Sequence, residues 1–158
     1  MAFLIGFALV AVVGVFHHVC LRGLDRLTGR DRVSPNATIL VVFLGLLTLH
    51  TAEIAIWMLA YAALLRSGDF GQLAGAYQGT WGDLFYYSGI NFTTLGYTQI
   101  EASGDIRAVG MMQSLGGFMV LTWSATFIYS AWERAFRLQP GDPVDRPGVA
   151  SPPRVPGP

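Results

Sequence analysis

Apolar runs dominate this chain, and the polar residues between them mark where each run stops. Ala2 to Leu21 is almost wholly apolar, and about 20 such residues cross a bilayer as a helix. Basic residues follow the run, at Arg22, Arg26, Arg30 and Arg32, whereas a cleaved signal peptide carries them in front. The run therefore predicts a first transmembrane helix that stays in the protein. Arg-rich loops lie on the cytoplasmic side, which sets the N-terminus outside. Ser34-Pro35-Asn36 reads as a stop and a start, with proline suited to the first turn of the next helix. Asn36 to Leu65 predicts a second span, long enough to cross with tilt.

Arg66 to Gly79 is a glycine-rich connector, expected outside the membrane. Thr80-Trp81-Gly82-Asp83 has capping-box spacing, so Thr80 is the expected N-cap of a short aromatic helix from Asp83 to about Phe92. Thr93-Thr94-Leu95-Gly96-Tyr97-Thr98 then suits neither helix nor strand, and Gly96 permits positive φ. Gln99 to Asp105 leads back out. Ile106 to Phe136 predicts a third span, with Arg134 and Arg137 at its inner end. Helix, short extended loop and helix within an apolar chain describe a re-entrant pore loop. Non-helical backbone survives at membrane depth only where protein buries it or water reaches it. Leu138 to Pro158, rich in Pro, Gly and charge, has the composition of a disordered tail. The expected division is 1–34 for the first helix and its loop, 35–137 for a pore domain, and 138–158 for the tail.

The stretch Asp83-Leu-Phe-Tyr-Tyr-Ser-Gly-Ile-Asn-Phe-Thr-Thr-Leu-Gly-Tyr97 resembles the pore helix and selectivity filter of two-transmembrane bacterial potassium channels. That family shows an aromatic pair and Ser, then Thr-Thr-Val-Gly-Tyr-Gly-Asp. Tyr86-Tyr87-Ser88 matches the first part and Thr93 to Tyr97 the second, and the resemblance extends over roughly residues 36 to 136. It departs at Thr98 and Gln99, where the family has Gly and Asp. The resemblance implies an all-α membrane protein of three transmembrane helices with a re-entrant pore helix and filter loop. It implies a homotetramer in the lipid bilayer, multi-pass in a bacterial inner membrane. Passive K⁺ conduction would use the backbone carbonyls of Thr94, Leu95, Gly96, Tyr97 and Thr98 in place of the ion's hydration shell. Tyr86, Tyr87, Ile90 and Gln99 would support the filter. A weakly selective monovalent cation channel is the alternative, because a β-branched residue at Thr98 resists positive φ. No cofactor beyond permeant K⁺ is expected.

Composition sharpens this picture. Charged residues make up 13% of the 158 residues, about half the share in a soluble domain, and mean hydropathy is +0.47. Net charge is zero, which argues against nucleic acid as a partner. The single cysteine, Cys20, excludes an intramolecular disulfide and a multi-cysteine metal site. No nucleophile–base set appears, so no enzyme activity is expected. Gly116-Gly117 in the third span is either a gate hinge or a close helix contact. Gln113, Thr122, Ser124 and Thr126 are the polar groups expected if one face of that helix lines water, with Phe118, Leu121, Ala125 and Tyr129 as the pore-facing stripe. His50 and Glu53 fall on one helix face at i, i+3, as a local pair or a functional one. His17 and His18 read as interfacial side chains. A haem-bearing electron carrier using His18 and His50 is the remote alternative; with the first helix ending at Leu21, the two lie at depths that do not match, His50 being ~21 Å into its span.

Overall fold

Residues 1–28 and 34–137 are described in a computed structural model of the chain; the expected tail, and Arg30 and Arg32 of the first loop, lie outside the described residues. The element order is α1 (Ala2–Thr28), α2 (Pro35–Ser67), β1 (Gln72–Gly75), α3 (Trp81–Phe92), β2 (Ile100–Ser103) and α4 (Ile106–Arg137). Local chemistry sets the boundaries of α2. The Ser34 side chain accepts from Ala37 N–H, Pro35 occupies the first turn, and Gly68 caps the other end at φ 78.

Polarity in this fold is inverted. The buried side chains include His17, Thr38, Glu53, Ser88, Gln113 and Ser124. Exposed positions meanwhile hold Phe3, Leu4, Phe7, Val12, Leu40, Phe43, Leu47 and Met111. Water favours the opposite arrangement, so these outer faces belong against lipid or another subunit. On α2 the buried residues are Thr38, Val42, Leu46, Leu49, Glu53, Trp57 and Tyr61, a stripe at helical spacing. Since α2 is apolar almost all round, hydrophobicity alone does not mark its inward face; Glu53 and Tyr61, which find polar partners there, do.

The core has two parts. Trp57, Tyr61, Leu84, Tyr87, Phe92, Ile106 and Val109 gather around the short helix α3. Leu21, Val42, Leu46, Leu49 and Ala131 gather between the far ends of α1, α2 and α4. Small residues let backbones approach at the crossings: a Cβ on Gly116 would lie 2.8 Å from Val10 of α1, and one on Gly117 would lie 2.1 Å from the Phe92 carbonyl oxygen.

Three differences from the expected fold have physical causes. First, α1 continues past Leu21 to Thr28. Arg22, Asp25 and Arg26 extend the helix instead of ending it, and Asp25 bonds Arg134 of α4 at 2.9 Å. His17 stacks on His50 at 5.7 Å, so the adjacent His18 also lies near the depth of His50, and the mismatch expected between His18 and His50 does not hold. Second, the connector and the polar exit from the loop are joined as an antiparallel ribbon, Gln72 opposite Ser103 through Gly75 opposite Ile100. Third, α1 and α2 are long and apolar enough to cross a membrane, whereas α4, at 32 residues equally long, is interrupted by polar side chains and lacks that apolarity. Part of that polarity faces protein. Gln113 and Ser124 are buried in contacts with other helices. Thr122 and Thr126 stay exposed and bond back to their own helix.

Candidate functional site: the loop between α3 and the ribbon

The site begins with a firmly started helix. Thr80 Oγ1 accepts from Asp83 N–H at 3.1 Å, and Asp83 Oδ2 accepts from Thr80 N–H at 3.2 Å, closing the capping box read from the sequence. Asp83 Oδ2 also accepts from Gln78 N–H at 2.9 Å. These backbone donors, Gln78 first, hold the Asp83 carboxyl below its ordinary pKa.

The other end of α3 closes with a Schellman motif. Leu95 N–H donates to Ile90 C=O and Thr94 N–H to Asn91 C=O, each at 3.1 Å. Thr93 Oγ1 adds a bond to Gly89 C=O at 2.8 Å. The motif requires a left-handed residue after the cap, and Thr94 fills it at φ 56, the sole non-glycine at positive φ among the described residues. A β-branched residue there stores strain of order 1–3 kcal/mol. Thr98, expected from the sequence to resist positive φ, does so; the strain lies at Thr94, which the sequence did not single out.

Gly96 follows at φ 69, with Leu95 between at ordinary negative φ. Alternating hand along a chain turns successive peptide carbonyls towards the same side. Among the described residues no N–H or O–H of the protein donates to the carbonyls of Thr94, Leu95, Gly96, Tyr97 or Thr98. Thr93 through Tyr97 are exposed on the single chain, Leu95 at 66% and Tyr97 at 78%. The alternation stops at Thr98, which does not take positive φ. Its Oγ1 instead accepts from Ile100 N–H at 3.0 Å, and Gln99 C=O accepts from Ala76 N–H at 3.0 Å. The outer end of the loop thus runs into the ribbon.

The helices around the loop fix its base. Gln113 of α4 donates to Ser88 C=O at 2.9 Å and accepts from Tyr61 OH at 2.7 Å, linking α3, α4 and α2 through buried groups. Tyr87 is buried and meets the Tyr61 ring edge-on at 5.0 Å. Ile90 is buried beside it in sequence, whereas Tyr86 is 49% exposed and points away from the chain's own core. Gly117 lets α4 run directly against the Phe92 carbonyl at the foot of α3, and Gly116 faces α1; both contacts favour the close-packing role for this pair. Of the candidate pore stripe, Phe118 and Tyr129 are strongly exposed, Ala125 is exposed and Leu121 half-buried.

A second polar constellation, of which sequence spacing revealed two of three members, lies where α1, α2 and α4 cross. His50 and Glu53 pair as the i, i+3 spacing suggests, and His17 of α1 joins them. Helix phase across separate elements cannot be read from spacing within one, so His17 was not identifiable in advance. His17 and His50 stack at 5.7 Å with their Nδ1 atoms both on Glu53. That is not the opposed geometry of two axial haem ligands. His18 turns instead towards Trp123.

No curated protein and no solved structure matches this chain. Residues 38–134, well over half of the chain, match the ion channel family, and that span runs from the start of α2 through the loop to the last turn of α4. The chain belongs to that ion channel family.

Proposed function

We propose that the chain assembles as a homotetramer in a bacterial inner membrane and conducts K⁺ passively through a filter made by residues 94 to 97 of each copy. The observation that carries this reading is the row of carbonyls from Thr94 to Tyr97, turned by alternating backbone hand and accepting from no donor among the described residues. Each unpaired backbone group in lipid costs several kcal/mol, so the row must face water or a dehydrated cation. One chain supplies one strand of such a lining, and a closed ring of copies completes it. In this reading α4 is the third span, lining the pore below the filter. The Arg22 and Arg26 end of α1 and the C-terminus lie in the cytoplasm.

A second reading, weak selectivity among monovalent cations, is favoured by Thr98. Its backbone leaves the alternating pattern and bends into the ribbon, so fewer complete ion sites stand in series than in a filter ending Gly-Asp. One experiment decides between the two and tests both. Protein reconstituted in liposomes should pass K⁺ down its gradient, with the K⁺ to Na⁺ permeability ratio separating the readings. Mass measurement in detergent and in lipid should give four copies. Absence of cation flux, or a stable monomer or dimer, overturns the pore.

A further inference from the structure

His17, His50 and Glu53 bring three metal-type ligands together away from the filter carbonyls. His17 Nδ1 lies 2.8 Å from Glu53 Oε1, and His50 Nδ1 lies 2.8 Å from Glu53 Oε2. The side chains of His17 and Glu53 are completely buried and that of His50 is 16% exposed. One ligand atom from each residue lies within 4.8 Å of the others. Trp123 covers His17 with ring centroids 5.3 Å apart, and Phe92 flanks His50 at 5.7 Å.

We propose that His17, His50 and Glu53 form a site for one resident divalent transition ion of the zinc class, separate from any permeant cation. Two imidazoles and a carboxylate are a borderline donor set, suited to zinc, cobalt or nickel rather than to calcium or magnesium, which take oxygen, or to soft copper(I). Bonds of about 2.0–2.2 Å in tetrahedral array set neighbouring ligand atoms about 3.3 Å apart. The present 2.8 Å contacts need to open by only about half an ångström. Burial points the same way: the Glu53 side chain is completely buried, and a carboxylate in such a place is costly unless a cation balances it.

The surroundings complete the design. Metal-bound histidines commonly donate their second ring N–H to an outer partner, which fixes the tautomer. Ser124 Oγ of α4 lies 3.4 Å from His17 Nε2 and fills that place, leaving Nδ1 to face the ion. The partial opening at His50 is the route for the ion and for a water as fourth ligand. His17 lies outside the family-matched span, and the two other ligands lie inside it. The ion therefore staples the N-terminal helix to the pore domain and, through Ser124, restrains α4 near the foot of α3.

The test uses full-length protein, stripped with chelator and titrated with Co²⁺ as a spectroscopic stand-in for Zn²⁺, with elemental analysis for stoichiometry. The expected result is one ion per chain with visible ligand-field bands. His17→Asn and Glu53→Gln should each weaken binding by about 100-fold or more, and Ser124→Ala by about 10-fold. His18→Asn, outside the cluster, should leave binding unchanged. In a Cys20→Ala background, His17→Cys should add a sulfur-to-cobalt charge-transfer band, which a merely structural histidine would not produce. If the two weakening variants do not assemble, wild-type stoichiometry and that band decide. No uptake by wild type at a clear excess of Co²⁺, uptake undiminished by His17→Asn and Glu53→Gln, or no new band with folded His17→Cys overturns the site and leaves a hydrogen-bonded cluster holding a proton. No step depends on conduction, so this outcome and that of the channel reading are separable.

Discussion

At the crossing of α1, α2 and α4, each oxygen of Glu53 has its own imidazole and His17 has Ser124 behind it. In the loop after α3, the successive carbonyls from Thr94 to Thr98 have no donor among the described residues. Both regions are polar and both lie in an otherwise apolar molecule. The side chains of the first all find partners within one chain; the carbonyls of the second take theirs from what surrounds the chain. Damage to the first should therefore appear as lost stability, and damage to the loop as altered conduction with the fold intact.

The largest effect expected is from Glu53→Ala. Removing the carboxylate takes the partner from the ring nitrogens of His17 and His50 and should destabilise the protein by about 1–3 kcal/mol for each group left unpaired, seen as a lower thermal midpoint in detergent. An unchanged midpoint would abolish the contrast between the regions. Gly117→Ala comes next. Its Cβ would meet the Phe92 carbonyl oxygen at 2.1 Å, a backbone atom that cannot rotate away, and overpacking of this kind costs about 1–3 kcal/mol. Gly14→Ala is the counterpart: nothing lies within 4 Å of its Cβ, so a helical alanine should stabilise by about 0.5–1 kcal/mol. If both changes act alike, close contact at the foot of α3 is not what Gly117 provides.

Gly96→Ala tests the loop. Its Cβ would enter open space, so the cost is conformational, about 1–2 kcal/mol per chain for a left-handed residue. Assembly and midpoint should hold while K⁺ over Na⁺ selectivity falls; a normal permeability ratio would show that alternating backbone hand is not what the loop uses. Thr98→Gly combined with Gln99→Asp should act in the opposite sense, raising that ratio a few-fold by extending the alternation outward. No gain would mean that the ribbon, and not residue 98, sets the outer end.

The smallest effect belongs to Asp83. Its folded pKa is lowered by the Gln78 and Thr80 N–H donors, so its contribution is complete above the ordinary Asp range and is lost as pH falls through the lowered folded value. Amide exchange at Gln78 and Thr80 should quicken in acid, and Asp83→Asn should remove that pH dependence.

Local chemistry was readable in the sequence wherever cause and effect lie within a few residues. Ser34-Pro35, the Thr80–Asp83 box, the span of α3 and the pairing of His50 with Glu53 all emerged from spacing alone. What joins distant segments did not. The ribbon pairs two four-residue strands on opposite sides of α3, and neither carries a pattern that names the other. Gln113 and Ser124 looked like pore polarity because a polar residue on an apolar helix does not declare whether protein or water waits opposite. The strain at Thr94 was not foreseen because it comes from how α3 ends, which demands a left-handed residue there whatever follows.

The ribbon has one further consequence, in the statistics of the chain. By joining Gln72–Gly75 to Ile100–Ser103 it pins together the two ends of the segment running from Ala76 to Gln99. Closing a flexible loop of that length costs about 3 kcal/mol in entropy, a cost that rises only with the logarithm of length. Once the ribbon has formed, α3 and the loop after it search a much smaller set of shapes, whether or not a second subunit has arrived. The segment is thereby a tethered unit within each chain, and in the proposed tetramer assembly would begin from copies whose loops are already closed.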